Sequence, residues 1–347
     1  MSIFKSVLLS LLALFHIACS EQAELLKNNN PGNYTLAKDV VWASPDGFDL
    51  TMDIYTPNGG KDNYPVLLIF HGGGWLINDN SIMDQMSAYI ASNSNYVVAN
   101  VNYRLLVDID NTVKINQIVE DVFGAVAWAR HNIEQYQGDS NKLAVTGDSA
   151  GGHLSAMVVN MGHQLSSQPY SETSIGFKPS YLPPGKTAEQ VASENGLAVQ
   201  AAVLSYGAFD VYTSSRDGIE SIRNPFWLMA GSLARGIFGD DYNADDNPNM
   251  YRGVSPLYHI PSAEERQLPP QLLTVGDQDS LVSPQSVKDY LAQLRAAGHS
   301  AEYWEYPGRG HAYLDSGSNL LLGNSFEQDA PQALDVIITF LDAVFYP

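Results

Sequence analysis

A chain of 347 residues accommodates one large domain or two small ones, and a hydrophobic content of 45% suits a protein with a sizeable core. Its 18 basic and 38 acidic side chains leave a formal charge of −20. That balance excludes a polyanionic partner such as nucleic acid, which needs clustered Lys and Arg, and reads as a solvated acidic surface.

The first twenty residues, MSIFKSVLLSLLALFHIACS, hold one positive charge at Lys5, an apolar run from Val7 to Leu14, and then small residues. The run is shorter than the roughly 20 residues of a membrane span and has the form of an export signal over residues 1–18. Two processing patterns overlap here. Ala18–Cys19 resembles the end of a bacterial lipoprotein signal, in which Cys19 becomes the acylated first residue, although His16 stands where an aliphatic residue is usual. Ala18 and Ser20 also supply the small pair for ordinary cleavage before Glu21. Cys19 is the only cysteine, and its placement favours the lipoprotein. The expected location is therefore the outer membrane or cell surface, with membrane contact only through a lipid anchor at Cys19; ordinary secretion or the periplasm is the other outcome. Either way the mature fold has no disulfide and no cysteine metal site. No metal and no cofactor are expected.

Residues 19–38 are polar and Asn-rich and read as a tether, leaving 39–347 as the folded domain. KDVVWA and DLTMDIYTP form an opening antiparallel pair bounded by turn residues. YPVLLIF and NYVVANVNY are continuous apolar runs, the mark of strands buried on both faces. VKINQIVEDVFGAVAWARHNI has apolar residues at helical spacing. Further strands are expected at KLAVTG, LAVQAAVLSYG, PPQLLTVG and SAEYWEYP, and helices at SPQSVKDYLAQLRAAG and QALDVIITFLDAVF. This alternation predicts a mostly parallel sheet covered by helices on both faces. Two inserts, near 162–196 and 210–262, interrupt it, with NPFWLMAGSLARGIF expected to be helical. Both are expected at the C-terminal side of the sheet, where ligands sit, with Tyr181, Phe226 and Trp227 as lid core.

The residues that carry chemistry fall at strand ends. Gly147-Asp148-Ser149-Ala150-Gly151 lies between the strand KLAVT and the helical GGHLSAMVV, the setting of a nucleophile elbow. Glycines crowd Ser149 because the turn is strained and leaves no room for neighbouring side chains. Its Oγ would stand at a helix N-terminus, where N–H groups hold an anion. FHGGGW follows the strand YPVLLIF, so the N–H groups of Gly73, Gly74 and Ala150 are the expected oxyanion donors. His71 and Trp75 are expected to shape that loop, and Asp148 to stabilise the elbow and the helix end. The base comes late in the chain, after the acid. His299 precedes the strand SAEYWEY and so lies at the wrong edge; His311, in YPGRGHAY after that strand, lies at the right one. Asp277 and Asp279, in LLTVGDQDSLV, both qualify as the acid, and spacing does not choose between them.

Taken together, HGGGW, VNYRL, GDSAGGH, GDQDSLV and GRGHAY, in this order, resemble the hormone-sensitive-lipase-like branch of the α/β-hydrolase carboxylesterases across roughly residues 40 to 345. The resemblance implies an α/β-hydrolase fold with cap or lid insertions and a cofactor-free esterase of short acyl chains. It also implies Asp279 as the acid, two residues before a leucine in D-x-L, and a buried Arg104–Asp121 ion pair. After NYRL the chain reads LVDID where many members have Ala-Pro-Glu, a departure that suggests an outlying or sugar-ester-cleaving branch. The expected mechanism is acyl transfer by Ser149, with His311 as base and Asp279 orienting it, on small-molecule or saccharide esters, acetylated or feruloylated sugars among them. An aryl-formamidase-like amidase shares the H-G-G-x-W loop and differs chiefly in leaving group. A non-catalytic binding protein on a hydrolase scaffold is the reading from another class, and an intact triad argues against it.

Overall fold

The computed structural model describes residues 33–60, 63–320 and 322–347. The expected export signal, Cys19 and most of the tether lie outside the described residues. The tether ends sooner than expected. Strand β1 (Tyr34–Ala43) begins five residues before position 39, because Thr35, Leu36 and Ala37 pair with Thr56, Tyr55 and Ile54 of β2 (Leu50–Pro57). β1 is an edge strand with half of its residues exposed and one buried, so it lacks the apolar alternation that marks a strand in sequence.

Eight strands form one sheet in the order β1-β2-β4-β3-β5-β6-β7-β8. β1 and β2 are antiparallel to their neighbours. β3 (Tyr64–Phe70), β4 (Val97–Val101), β5 (Gly138–Asp148), β6 (Ala201–Ser205), β7 (Gln271–Gly276) and β8 (Ala301–Tyr306) run parallel. Every side chain of β3, β4, β6 and β7 is buried, which explains their unbroken apolar runs. Each fully buried Val, Leu, Ile or Phe contributes roughly 1.5–3 kcal/mol, so the central strands are the main source of stability. The parallel strands all end at one edge, the ligand-binding edge of open α/β sheets.

Six helices matter for positioning: α1 (Asp84–Asn93), α2 (Ile115–Asn132), α3 (Ala150–Met161), α4 (Pro225–Met229), α5 (Pro284–Ala296) and α6 (Phe326–Phe345). α1 packs on α6, and α2 on α3. The sequence does not announce α1, because it buries Asp84, Gln85 and Ser87 beside Met86, Ala88, Ile90 and Ala91 and so has no apolar stripe. α6 starts six residues before Gln332 and runs through Pro331. Of the helix expected over 224–238 only α4 forms; Gly231, at φ +66°, follows its end.

The two inserts part company. The 162–196 insert follows α3, which descends from the active edge, so it does not begin at a strand's C-terminal end as expected. It lies along α2 instead: Ser180 N–H donates to Glu120 O at 3.0 Å, and Phe177 packs edge-on to Phe123 at 5.3 Å. Tyr181 OH accepts from Asn132 there. The 210–262 insert follows β6 and does rise from the active edge. The Arg104–Asp121 pair is present and buried, with Nε and Nη2 on the two carboxylate oxygens at 2.8 and 2.7 Å, and Ser180 Oγ donates to the same carboxylate.

Candidate active site

The elbow geometry explains its glycines. Ser149 sits at φ 51°, ψ −114°, a strained conformation for a residue with a side chain. Its N–H donates to Ser205 O at 3.0 Å, and its carbonyl accepts from His153 N and Ala208 N. A Cβ on Gly151 would lie 1.8 Å from Phe70 O, so α3 packs against the end of β3 only because that carbon is missing. Ser149 remains half-buried at the N-terminus of α3.

The loop after β3 is built as tightly. Gly73 has φ +118°, and a Cβ there would meet Ile77 O at 2.2 Å. Its carbonyl closes the turn by accepting from Leu76 N and Ile77 N, both at 3.1 Å. Among the described residues, the N–H groups of Gly73, Gly74 and Ala150 have no protein acceptor. His71 is a loop-shaping residue: Nδ1–H donates to Gly72 O at 2.8 Å, and the ring stacks on Tyr103 at 4.3 Å. Burial lowers its pKa to about 4, so it is neutral at pH 7. Trp75 is buried, and its indole N–H donates to His153 Nδ1 at 3.2 Å.

Asp148 ties loop and elbow together. The Gly72 N–H faces its carboxylate, and a Cβ on Gly72 would lie 2.3 Å from Oδ2. Desolvation pushes its pKa up to about 6, against the opposing pull of His311 and the Gly72 N–H. Asp315 lies in its electrostatic reach, and desolvation first and Asp148 second push that carboxyl well up. One oxygen of each carboxyl has no hydrogen-bond partner among the described residues.

Of the two aspartates that spacing leaves open, Asp279 is the one that meets His311. Asp279 Oδ2 lies 2.7 Å from His311 Nδ1, and both residues are buried. Its Oδ1 accepts from Leu281 N and Val282 N, each at 2.9 Å, so the carboxylate is fixed before it meets the imidazole. Asp277 instead accepts from Gly308 N at 2.7 Å and secures the histidine loop. His299 turns to Pro261 O at 2.7 Å, beside the start of β8. Tyr206 joins the two halves of the site. It follows Ser205, the acceptor of Ser149 N–H, and its ring lies edge-on to His311 at 4.7 Å. Among the described residues no hydrogen bond connects Ser149 Oγ with His311; such contacts often tighten only with substrate bound.

With this geometry in view, comparison with known proteins identifies the lineage. The profile of the BD-FAE family matches residues 52–294. The chain belongs to the BD-FAE family. The match spans the HGGGW loop, the elbow and Asp279, and it agrees with the esterase resemblance carried by the motifs. Similar relatives include Esterase LipC of Mycobacterium tuberculosis, 28% identical over 72% of this chain and 53% of that protein. Esterase LipQ of the same organism is 27% identical over 76% of this chain and 57% of that one. The chain thus spans little more than half the length of these relatives. Among solved structures, the thermophilic esterase Est2 of Thermogutta terrifontis superposes with a TM-score of 0.60 at 21% identity, covering 89% of this chain and 93% of that one. That likeness establishes the α/β-hydrolase fold.

This BD-FAE member also has site residues that the sequence did not reveal. Tyr206, Asp315 and Asn324, whose Nδ2 donates to His311 O, sit in no motif that singles them out. Phe226, expected as lid core, is only half-buried, whereas its neighbour Trp227 is buried with its N–H on Ile219 O at 2.9 Å. Among the described residues there is no His/Cys/Asp/Glu cluster able to hold a metal ion, and no helix long and apolar enough to cross a membrane.

Proposed function

We propose that this BD-FAE protein is a serine carboxylesterase working through an acyl-enzyme. The observation that carries the reading is the 2.7 Å His311–Asp279 contact at the sheet edge that also bears the strained Ser149. Ser149 Oγ attacks the ester carbonyl carbon while His311 Nε2 takes its proton, and Asp279 holds Nδ1–H and stabilises the imidazolium. The N–H groups of Gly73, Gly74 and Ala150 receive the oxyanion. His311 then gives its proton to the leaving alcohol, which departs and leaves the acyl group on Ser149. Water, deprotonated by His311, releases the acid. Relatives named esterases and carboxylic ester hydrolases support the reaction class. The neighbouring Est2 has been solved with propionate and with butyrate bound, so short acyl esters are the first substrates to try, with acetylated and feruloylated sugars beside them.

The test is hydrolysis of p-nitrophenyl acetate and butyrate by wild type and Ser149→Ala. Turnover by the wild type, lost on the order of 10⁴- to 10⁶-fold in a folded variant, supports the proposal; undiminished turnover in Ser149→Ala removes it. For location we propose anchoring through acylated Cys19. Detergent partitioning that Cys19→Ser abolishes is the expected result, and a soluble wild type beginning at Glu21 would defeat it.

A further inference from the structure

The second insert brings Phe226 up to the HGGGW loop. A methyl group placed on Gly74 would rest against the Phe226 ring, 3.4–3.6 Å from its Cγ, Cδ1 and Cδ2. Phe226 stands on the short helix α4, which is held from three sides. Asn224 caps it by accepting from Phe226 N at 3.1 Å, Trp227 is buried beneath it, and Ser232 N–H returns to Trp227 O at 3.0 Å. So the aromatic ring is carried on an anchored support, yet the residue stays partly exposed. Met229, three residues on and hence on the same helix face, is 54% exposed and continues the apolar surface outward. Leu228, at 75%, flanks it. Structural core explains Trp227 well. It does not explain a partly exposed phenylalanine set against a glycine whose N–H faces no protein acceptor among the described residues.

We propose that Phe226 is a specificity-determining residue. Its ring forms the wall of the ester site beside Gly74 and limits the larger substituent that can be seated there, while Met229 extends that wall toward the rim. The substrate class this surface suits is an ester whose larger substituent is apolar, since a sugar hydroxyl laid on a phenyl ring and a thioether gives up water without gaining a partner. The inference rests on the proposed esterase reading and deepens it. Phe226 takes no part in proton transfer or oxyanion binding, so its replacement alters which ester is used more than how fast a small one turns over.

The experiment measures kcat/KM for p-nitrophenyl esters from acetate to dodecanoate and for acetates of small and large alcohols, including an acetylated xylose. Wild type, Phe226→Ala, Phe226→Leu and Phe226→Trp are compared, the leucine variant guarding against collapse of α4. In at least one series, Phe226→Ala and Phe226→Leu are expected to raise the large-to-small kcat/KM ratio about tenfold or more, and Phe226→Trp to lower it. Unchanged ratios in folded, active variants would overturn this inference and leave the esterase reading standing. A wild type inactive across both series would overturn the two together. Acetylated xylose as the best substrate, with Phe226→Ala neutral toward it, would overturn the apolar assignment.

Discussion

The catalytic floor and the lid above it are built on opposite principles. In the floor, short loops at the ends of β3, β5, β7 and β8 are tied to one another: Asp148 to Gly72, Asp277 to Gly308, Gln278 N to Arg309 O at 2.9 Å and Asp279 to His311. Its reactive groups are mostly buried, and a Cβ on Gly73 or Gly151 would collide with backbone. In the lid, Ile222, Leu228 and Leu233 are 84%, 75% and 79% exposed, and Phe226 stands where a Cβ on Gly74 would rest against its ring. The difference teaches where each property resides. On the proposed reading, a preorganised floor would supply rate, and a cover with open apolar side chains would supply selection.

If that division is right, the largest effect belongs to the floor's acid. Asp279→Asn should lower kcat by roughly 10⁴-fold, because the imidazole loses its orienting charge. Asp277→Asn, which disturbs only a loop tether, should cost less than about tenfold. The reverse order in purified, folded variants would show that the 2.7 Å contact is not the catalytic one. Next comes Gly73→Ala, which forces a side chain onto Ile77 O and turns the donors aside. Losing one oxyanion donor costs on the order of 10²- to 10³-fold in kcat. A higher KM with normal kcat would mean that the loop binds ground state and transition state alike.

How far these assignments were legible in the sequence follows the same division. The floor was legible because its chemistry forces residue types: a strained turn demands glycines around Ser149, and a buried parallel strand demands a run such as YPVLLIF. The eight strands of the sheet are legible, the central ones as apolar runs, and so is the position of His311 as the histidine after the last of them, whereas spacing does not separate the two aspartates. Asp277 and Asp279 lie two apart on one loop, and only side-chain direction separates them. The inserts are less legible for a physical reason. Ser, Pro and Gly mark 162–196 as a loop, yet nothing local says that it starts from the far end of α3 and runs along α2. In Phe226–Trp227 adjacent aromatics have opposite fates, decided by a helix phase that five residues hardly encode. α1 was silent for want of an apolar stripe.

A smaller effect is expected at Asp148. Its folded pKa, pushed up to about 6 mainly by desolvation, lies above the unfolded value near 3.9. Between those values the folded state binds more protons than the unfolded one, so this group's contribution to stability falls as pH rises from about 4 to 6 and is flat above. Asp148→Asn should therefore gain in Tm relative to wild type between pH 4 and pH 7.5. Asp84 and Glu120, also pushed up by burial to about 6 and about 7, act in both proteins and cancel in the difference. Calorimetry at the two pH values checks it. A wild-type-minus-variant difference that does not move with pH would mean that Asp148 titrates normally.

The smallest effect should come from the lid's outer face. Leu228 and Leu233, at 75% and 79% exposure, bury too little to contribute much to folding. Surface replacements without a specific partner usually stay within about ±0.5 kcal/mol. For a domain of this size that is a Tm shift below about 2 °C. The double variant Leu228→Ser, Leu233→Ser should thus melt with the wild type, hydrolyse p-nitrophenyl acetate at the same rate and resist aggregation better, because exposed apolar area falls. Scanning calorimetry and light scattering on the purified protein would read all of this. A loss of five degrees or more would show that these side chains are covered in solution, by the lid itself or by a second chain, and the contrast between an anchored floor and an open cover would no longer describe the protein.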